Sequence, residues 1–218
     1  MNLFTDIETI PANEEITEED LRAALPANIK AEKTILDWLE NRREELVAKI
    51  VKKRSIDKYL CRIISIAYSF DGENVFSITN DDEATLMELF DKALTDELGK
   101  SGGSANKFHI IGHNVDDFDL PILFLRAAKY GSLKLHELLF FNRRETMDTM
   151  KMGSYWKFKE YVSLKDLCRF FGRDTKDDMD GSKVYEYYKE GRLEEIGKYC
   201  EKDVEDTIFL YKKLHIYE

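Results

Sequence analysis

The sequence predicts an α/β domain in which helices flank one β-sheet. Short β-branched runs alternate with segments of helical periodicity along the chain. At 218 residues the chain is long enough for one sizeable hydrophobic core. It contains neither an internal repeat nor a linker that would separate two domains. We therefore expect a single domain over residues 1–218.

The first part of the chain predicts a strand, a helical insertion and a strand pair. Residues 2–10 are predicted to form a strand because apolar and β-branched residues dominate them and a proline follows. Thr17, followed by acidic residues, is typical of a helix start. The helical pattern beyond it is interpreted as an insertion at about residues 12–55. The turn sequence DGEN then joins strands at 61–70 and 75–79.

The second part predicts helices that alternate with a further strand. Pro121 is tolerated in the first turn of a helix, and Gly172 is typical of a residue that ends one. A glycine also interrupts the last helical segment. The predicted elements are a helix at 82–98, a loop at 99–107, a strand at 108–114, helices at 119–131 and 163–172, a polar linker at 173–182 and a helical segment at 183–215.

The composition indicates a soluble cytoplasmic protein. No apolar run approaches the roughly 18 residues of a membrane span, and no secretory signal is recognisable. Cys61, Cys168 and Cys200 are too scattered for a disulfide framework or a CxxC metal site, so we expect buried reduced thiols. The net charge of −10 argues against a large nucleic-acid footprint, but it allows a small acidic catalytic pocket.

Acidic side chains in three separate segments could converge on one site. Asp6 and Glu8 in TDIET are two residues apart in a predicted strand and so face the same side. Asp119 follows a strand, and Tyr199 and Asp203 share one helix face at i and i+4. Four carboxylates cannot lie together as bare anions, and oxygen-only ligand sets are what Mg²⁺ and Mn²⁺ prefer. The pattern therefore predicts a pair of divalent metal ions.

The segments DIET, HNVDDFDLP and YCEKDVEDT resemble, in order, the three motifs of the DEDDy 3′–5′ exonucleases. They most resemble the proofreading exonuclease domain of family-B DNA polymerases, in a stand-alone form. Lys198 occupies the place where the His-type relatives carry histidine, and Tyr199 occupies the tyrosine-type place. No acidic polymerase motif of the DTDS kind is present in the sequence.

The resemblance implies a ribonuclease H-like fold with a central mixed sheet, and a metal-dependent 3′–5′ exonuclease that releases 5′-mononucleotides from single-stranded DNA. In this family Asp6, Glu8 and Asp203 would hold a first Mg²⁺ or Mn²⁺ ion, and Asp6 and Asp119 would serve a second. Tyr199 would mainly orient the attacking water and could assist its deprotonation. The implied catalytic and metal-binding residues are Asp6, Glu8, Asp119, Tyr199 and Asp203, and the implied substrate-binding residues are Ile7, Thr9, Asn114 and Phe118.

The sequence leaves open which substrate the protein acts on and what role residues 142–161 have. An RNA exonuclease resembling ribonuclease D shares the tyrosine-type site, and a catalytically silent nucleic-acid-binding module could use the same fold. Residues 142–161 interleave basic and aromatic side chains, as a groove that binds single-stranded nucleic acid would. A solvated loop explains this pattern equally well. His113 is expected to be structural rather than a base, and Asp206 to face solvent. A homo-oligomer or a replication or repair partner also remains open.

Overall fold

The computed structural model describes residues 2–12, 15–100, 108–157, 160–175 and 179–215. Its centre is a five-stranded mixed sheet in the order β3-β2-β1-β4-β5. β1 and β4 are parallel, β4 and β5 are parallel, and β2 and β3 are antiparallel. The predicted α/β class with a central mixed sheet is thus confirmed. The strands are β1 (Asn2–Pro11), β2 (Cys61–Ser69), β3 (Phe76–Thr79), β4 (His109–Gly112) and β5 (Thr146–Asp148).

Ten α-helices and one short 3₁₀ helix (Gly181–Lys183) are described, and most of the α-helices lie where the hydrophobic periodicity predicts them. The helices are α1 (Glu18–Ala24), α2 (Glu32–Asn41), α3 (Arg43–Ile56), α4 (Glu83–Lys100), α5 (Asp119–Tyr130), α6 (Leu133–Phe141), α7 (Thr149–Gly153), α8 (Leu164–Phe170), α9 (Val184–Lys189) and α10 (Leu193–Leu214). The predicted break near Gly191 separates α9 from α10. The predicted loop beyond Lys100 lies outside the described residues.

Residues 9–62 form a compact unit of their own, and residues 1–8 with 63–218 form the other. In the smaller unit, the helical pattern resolves into α1, α2 and α3. The core of this unit contains Leu21, Leu46 and Ile50. Thr17 caps α1 as predicted, because its hydroxyl accepts from Asp20 N at 3.2 Å while the Asp20 carboxylate accepts from Thr17 N at 2.9 Å. The single-domain interpretation with an insertion at about 12–55 stays a prediction.

In the larger unit, α10 packs on the sheet face that carries Phe4. The cluster there joins β1, β2 and β4 to α10, and the Phe4 ring meets the Tyr211 ring edge-on at 5.4 Å. Because alternate strand residues share a face, Asp6 and Glu8 point to the same side of β1 as Phe4. Core packing therefore places the acidic pair of β1 beneath α10.

Candidate active site

The carboxylates of Asp6 and Glu8 lie side by side on β1. Glu8 is buried and Asp6 is partly buried. Two negative charges at this spacing repel one another, and burial removes the water that would screen them. Burial and then the charge of Asp119 raise the pKa of Asp6 well above its usual range. Burial and then Asp6, Asp203 and Asp119 do the same to the pKa of Glu8.

Helix α10 contributes Tyr199, Cys200 and Asp203 to the same place. The Cys200 thiol lies 3.4 Å from both the backbone oxygen and Oδ2 of Asp6. The Tyr199 phenol is hydrogen-bonded to the Asp203 carboxylate, and burial followed by the charge of Asp203 raises the pKa of Tyr199. Gly197, less than one turn earlier, allows close packing, because a Cβ there would lie 2.7 Å from Thr79 Oγ1.

Asp119 reaches the site from the first position of α5. Its Oδ1 accepts a hydrogen bond from the backbone N–H of Ile7 at 3.0 Å, so the carboxylate contacts β1 directly. The register of β1 with β4 pairs Phe4 with Ile111, and β4 ends at the next residue. Asp119 therefore supplies an acceptor to β1 beyond the end of its neighbouring strand. Burial raises the pKa of Asp119.

Asp148 holds the turn that leads to Asp119, a role that sequence reasoning missed. Its carboxylate accepts from Asn114 N at 2.9 Å and from Asp116 N at 3.3 Å. It also caps α7 by accepting from Met150 N at 2.9 Å and Lys151 N at 3.3 Å. Asp148 ends β5, a strand of only three residues, which is too short to show a period in the sequence.

The donor set fits a hard divalent cation. Among the described residues, Asp6, Glu8 and Cys200 have ligand atoms that all lie within 4.8 Å of one another. The charges of Asp119 and Asp203 act on the same pair of carboxylates. Because burial and the neighbouring carboxylates raise the pKa of Cys200, its sulfur stays a thiol and is a poor ligand. The oxygen atoms are the ligands that Mg²⁺ and Mn²⁺ prefer.

The predicted substrate-binding residues differ in their surroundings. The Ile7 side chain is buried, and the Thr9 hydroxyl, in the smaller unit, donates to Ser55 O at 2.6 Å. Asn114 adopts a left-handed backbone at φ 62°, and Phe118 precedes α5. Both are half-buried. The structure thus brings the five predicted catalytic residues together, while the substrate roles stay predictions.

The buried carboxylate of Asp206 corrects one expectation from the sequence. Asp206 is not solvent-facing: it is buried and pairs with Lys202 at 3.0 Å and with Arg173 at 2.5 Å. Arg173 comes from the segment predicted as a linker, so the partner that permits burial is remote in sequence. Asp206 lies three residues after Asp203, and this ion pair ties α10 to the chain segment in front of α9.

Gly112→Ala is expected to lower the stability of the protein. A Cβ at this position would lie 2.5 Å from the Val115 Cβ and 3.0 Å from Thr5 O, so the turn must shift. Overpacking of this kind costs about 1–3 kcal/mol. Urea unfolding of Gly112→Ala would measure the loss. Gly99→Ala is the matched control, since the exposed Gly99 in α4 has no neighbour within 4 Å and should gain up to about 1 kcal/mol. Equal effects of the two changes would contradict the steric explanation.

His113 is structural, as its hydrogen bonds show. Its Nδ1 lies 2.9 Å from Thr149 Oγ1 and its Nε2 lies 3.0 Å from Val162 O. Burial lowers the pKa of His113 to about 4. Because the unfolded pKa is near ~6.5, the native state favours the neutral ring, and the stability from this group is complete above pH ~6.5 and falls as the pH drops towards 4.

We expect His113→Gln to lack this loss of stability in acid. The difference in unfolding free energy between wild type and variant should shrink by up to about 3 kcal/mol between pH 7.5 and pH 4. Urea melts of both proteins at each pH would measure it, because titrations common to both cancel in the difference. A difference that stays constant with pH would show that folding does not lower the pKa of His113.

Comparisons with known proteins agree with this geometry. Residues 54–218 match a protein family described as a predicted 3′–5′ exonuclease related to the exonuclease domain of PolB. A family B DNA polymerase from the hyperthermophilic archaeon Pyrobaculum calidifontis matches in structure, with a TM-score of 0.55 at 16% identity. That match covers 98% of this chain and 24% of the polymerase chain, so the likeness is confined to about a quarter of that enzyme. No curated protein matched significantly.

These comparisons confirm the ribonuclease H-like fold expected from the motifs. They also confirm the resemblance to the PolB exonuclease domain. Within the described part of the chain, no helix has the length and apolarity needed to cross a bilayer.

Proposed function

Because the chain belongs to the family of predicted 3′–5′ exonucleases related to the exonuclease domain of PolB, we propose that it hydrolyses single-stranded DNA from the 3′ end to 5′-mononucleotides. One observation carries the proposal. Buried carboxylates of β1 and α5, close to the Tyr199–Asp203 pair of α10, have pKa values raised by burial and by one another. Burying such a group of ionised carboxylates is costly, and bound cations would offset that cost.

Membership in an exonuclease family implies dependence on a divalent metal. We assign two ions, Mg²⁺ or Mn²⁺, with Asp6, Glu8 and Asp203 holding one and Asp6 with Asp119 serving the other. When bound, such a pair activates the attacking water and stabilises charge on the leaving 3′ oxygen. Burial and the repulsion between carboxylates raise the pKa values of Asp6, Glu8 and Asp119, and together they are the electrostatic cost that cations would offset.

Tyr199 orients the attacking water rather than removing its proton. Burial and the nearby carboxylates raise the pKa of its phenol, so the phenol is protonated at neutral pH and donates to Asp203. A second interaction of the phenol oxygen, as an acceptor, would position the water for in-line attack. This role needs the hydroxyl but no charge on it.

Tyr199→Phe is therefore expected to lower kcat about 100-fold, while the thermal shift caused by Mn²⁺ is retained. Steady-state hydrolysis and thermal melts with and without Mn²⁺ would measure the two quantities. Tyr59→Phe, at an exposed tyrosine of the smaller unit, is the matched control and should leave both unchanged. Full activity in Tyr199→Phe would remove this residue from the mechanism.

The biological setting is proposed from the same chemistry. We place the enzyme in the cytoplasm and in DNA repair or replication, where single-stranded 3′ ends arise, acting alone or with a partner or a second copy. DNA is favoured over RNA because the family is related to a polymerase exonuclease domain. A ribonuclease D-like activity would reverse this preference.

The test is a gel assay with 5′-labelled single-stranded DNA and RNA of one sequence, each with Mg²⁺, Mn²⁺ or chelator. We expect a metal-dependent ladder that shortens from the 3′ end, faster on DNA, and absent with Asp6→Asn. Asp96→Asn, an exposed carboxylate of α4, controls for loss of charge. A faster RNA ladder would select the ribonuclease. Intact substrates under every condition, with Mn²⁺ still bound, would select the silent binding module.

A further inference from the structure

Tyr155 and Trp156, the second and third residues after α7, combine backbone strain with exposure. Both adopt left-handed backbone conformations, at φ 51° and φ 54°. Bulky residues rarely occupy this region, and such strain persists only where the surrounding structure enforces it. Yet their exposed fractions are 82% and 67%, so neither ring offsets the strain by packing in the core. Exposed aromatic rings held in a strained turn indicate a binding role.

Hydrogen bonds hold this turn in one conformation. Trp156 N donates to Lys151 O at 2.7 Å, and Tyr155 N donates to Met152 O at 3.0 Å. The Ser154 hydroxyl also donates to Lys151 O, at 3.1 Å. The two rings lie 6.1 Å apart at an interplanar angle of 70°, so they do not stack on each other. The turn therefore presents aromatic faces to solvent in a defined orientation.

The same carboxylate, that of Asp148, accepts hydrogen bonds from the start of α7, which leads to Tyr155 and Trp156, and from the turn before Asp119. Asp148 accepts from Met150 and Lys151 at the start of α7, and from Asn114 and Asp116 in the turn before Asp119. A groove of about 160 Å³ runs between them and is lined by Asn114 and Trp156, among others. Asp148 therefore fixes the start of α7, which leads to Tyr155 and Trp156, relative to the turn that carries Asn114.

Among the described residues, the two lysines that line this groove are paired with carboxylates. Lys151 pairs with Asp116 at 3.0 Å and with Asp117 at 3.1 Å, and Lys157 pairs with Glu160 at 2.9 Å. To bind a phosphate, either lysine would have to give up a carboxylate partner. Aromatic faces beside paired charges suit uncharged planar rings, and nucleobases are the planar rings that an exonuclease meets.

We propose that Tyr155 and Trp156 form a platform on which a base of the single-stranded substrate stacks, on the 5′ side of the nucleotide being removed. The proposal rests on the proposed function for the identity of the substrate. The 3′-terminal nucleotide occupies the carboxylate site, and the groove leads from the turn carrying Asn114 to the platform. The strand would then be held by stacking, which is largely independent of base identity.

The first test measures binding without hydrolysis. The sequence has two tryptophans, so Trp38→Phe leaves Trp156 as the single tryptophan fluorophore. This protein would be titrated with an unlabelled single-stranded oligonucleotide in a buffer containing Ca²⁺. Stacking on the indole should quench and shift its emission. An emission spectrum that does not change at saturating oligonucleotide would overturn the platform.

The second test measures kinetics. Trp156→Ala should raise KM about tenfold with kcat little changed, and Trp156→Phe should keep most of the affinity because a ring remains. Phe170→Ala is the matched control, since Phe170 is 80% exposed and also meets a neighbouring ring edge-on. Its KM should equal that of the wild type. Thermal melts would confirm that each variant is folded.

Abasic substrates then separate stacking from a structural role. A series of substrates carries one abasic nucleotide, each at a different distance from the 3′ end. For the wild type, the KM should rise when the abasic nucleotide is at the position that stacks on Trp156. For Trp156→Ala, the same substrate should cause no further rise in KM. Equal sensitivity of both proteins at every position would overturn the platform. If no substrate is hydrolysed but the oligonucleotide quenches Trp156, the platform stands and the exonuclease proposal fails. Hydrolysis with no quenching would mean that the exonuclease proposal stands and the platform fails.

Discussion

Asp6→Asn is expected to abolish nuclease activity while making the metal-free protein more stable. Asp6 serves both proposed ions, and loss of a shared ligand is expected to cost about 4 kcal/mol of transition-state stabilisation, or roughly 10³-fold in rate. The same carboxylate is buried beside Glu8 and close to the charge of Asp119. Replacing it with a neutral isostere removes that repulsion, for a gain of about 2 kcal/mol.

The stability gain of Asp6→Asn should depend on pH. Because the pKa of Asp6 is raised in the folded protein, the native state binds its proton more tightly than the unfolded state does. The stability from this group is present below the unfolded pKa, near ~3.9, and is lost as the pH rises through the folded pKa. The difference between variant and wild type should therefore be small at pH 4 and largest at pH 8.

Urea melts in chelator at both pH values would measure this difference, with Asp96→Asn as the exposed control. Mn²⁺ should then reverse the order, since it stabilises the wild type at pH 8 and acts weakly on Asp6→Asn. A variant less stable than the wild type in chelator at pH 8 would show that the Cys200 hydrogen bond to Asp6 outweighs the repulsion. Activity close to wild type would remove Asp6 from the metal site.

The predictable part of the site depends on local geometry. Asp6 and Glu8 share a strand face at spacing two, and Tyr199 and Asp203 share a helix face at spacing four, so each pair can be found without a structure. The burial of Cys200 is also predictable from its apolar surroundings. Its contact with Asp6 is not, because that contact depends on how α10 is rotated against β1. The apolar stripe of α10 that includes Cys200 is the signal that could have found it.

The unpredictable part depends on partners that are remote in sequence. β5 exists as a strand because β4 pairs with it, and three residues carry no readable period. Asp148, at its end, acts on a turn more than thirty residues earlier, and nothing in its neighbourhood marks it. Helix α6 is a further element that the sequence analysis does not predict, although its buried residues Leu135, Leu138 and Leu139 have helical spacing.

The largest loss of stability is expected from Arg126→Met. Glu83 in α4 is 6% exposed, and it accepts from Arg126 Nε at 2.8 Å and from Tyr130 at 2.7 Å. Its Oε1 also accepts from the backbone N–H of Ile63 in β2, at 2.8 Å. One carboxylate thus joins α4, α5 and the sheet. Removing the guanidinium leaves a buried charge without its closest cation, which costs about 3–5 kcal/mol.

For a chain of this size, that loss corresponds to a fall in Tm of about 10 °C. The double variant Glu83→Gln with Arg126→Met should recover most of it, because the amide oxygen still accepts from Ile63 while the charge is gone. Thermal and urea melts of both single variants and the double variant form a closed cycle. Additive losses would mean that packing of the Arg126 side chain, rather than the uncompensated charge of Glu83, holds these elements together. Recovery would show that removing one partner of the ion pair destabilises the protein, whereas removing both does not. The role of the pair would then be to hold α5, and with it Asp119, in position against the sheet.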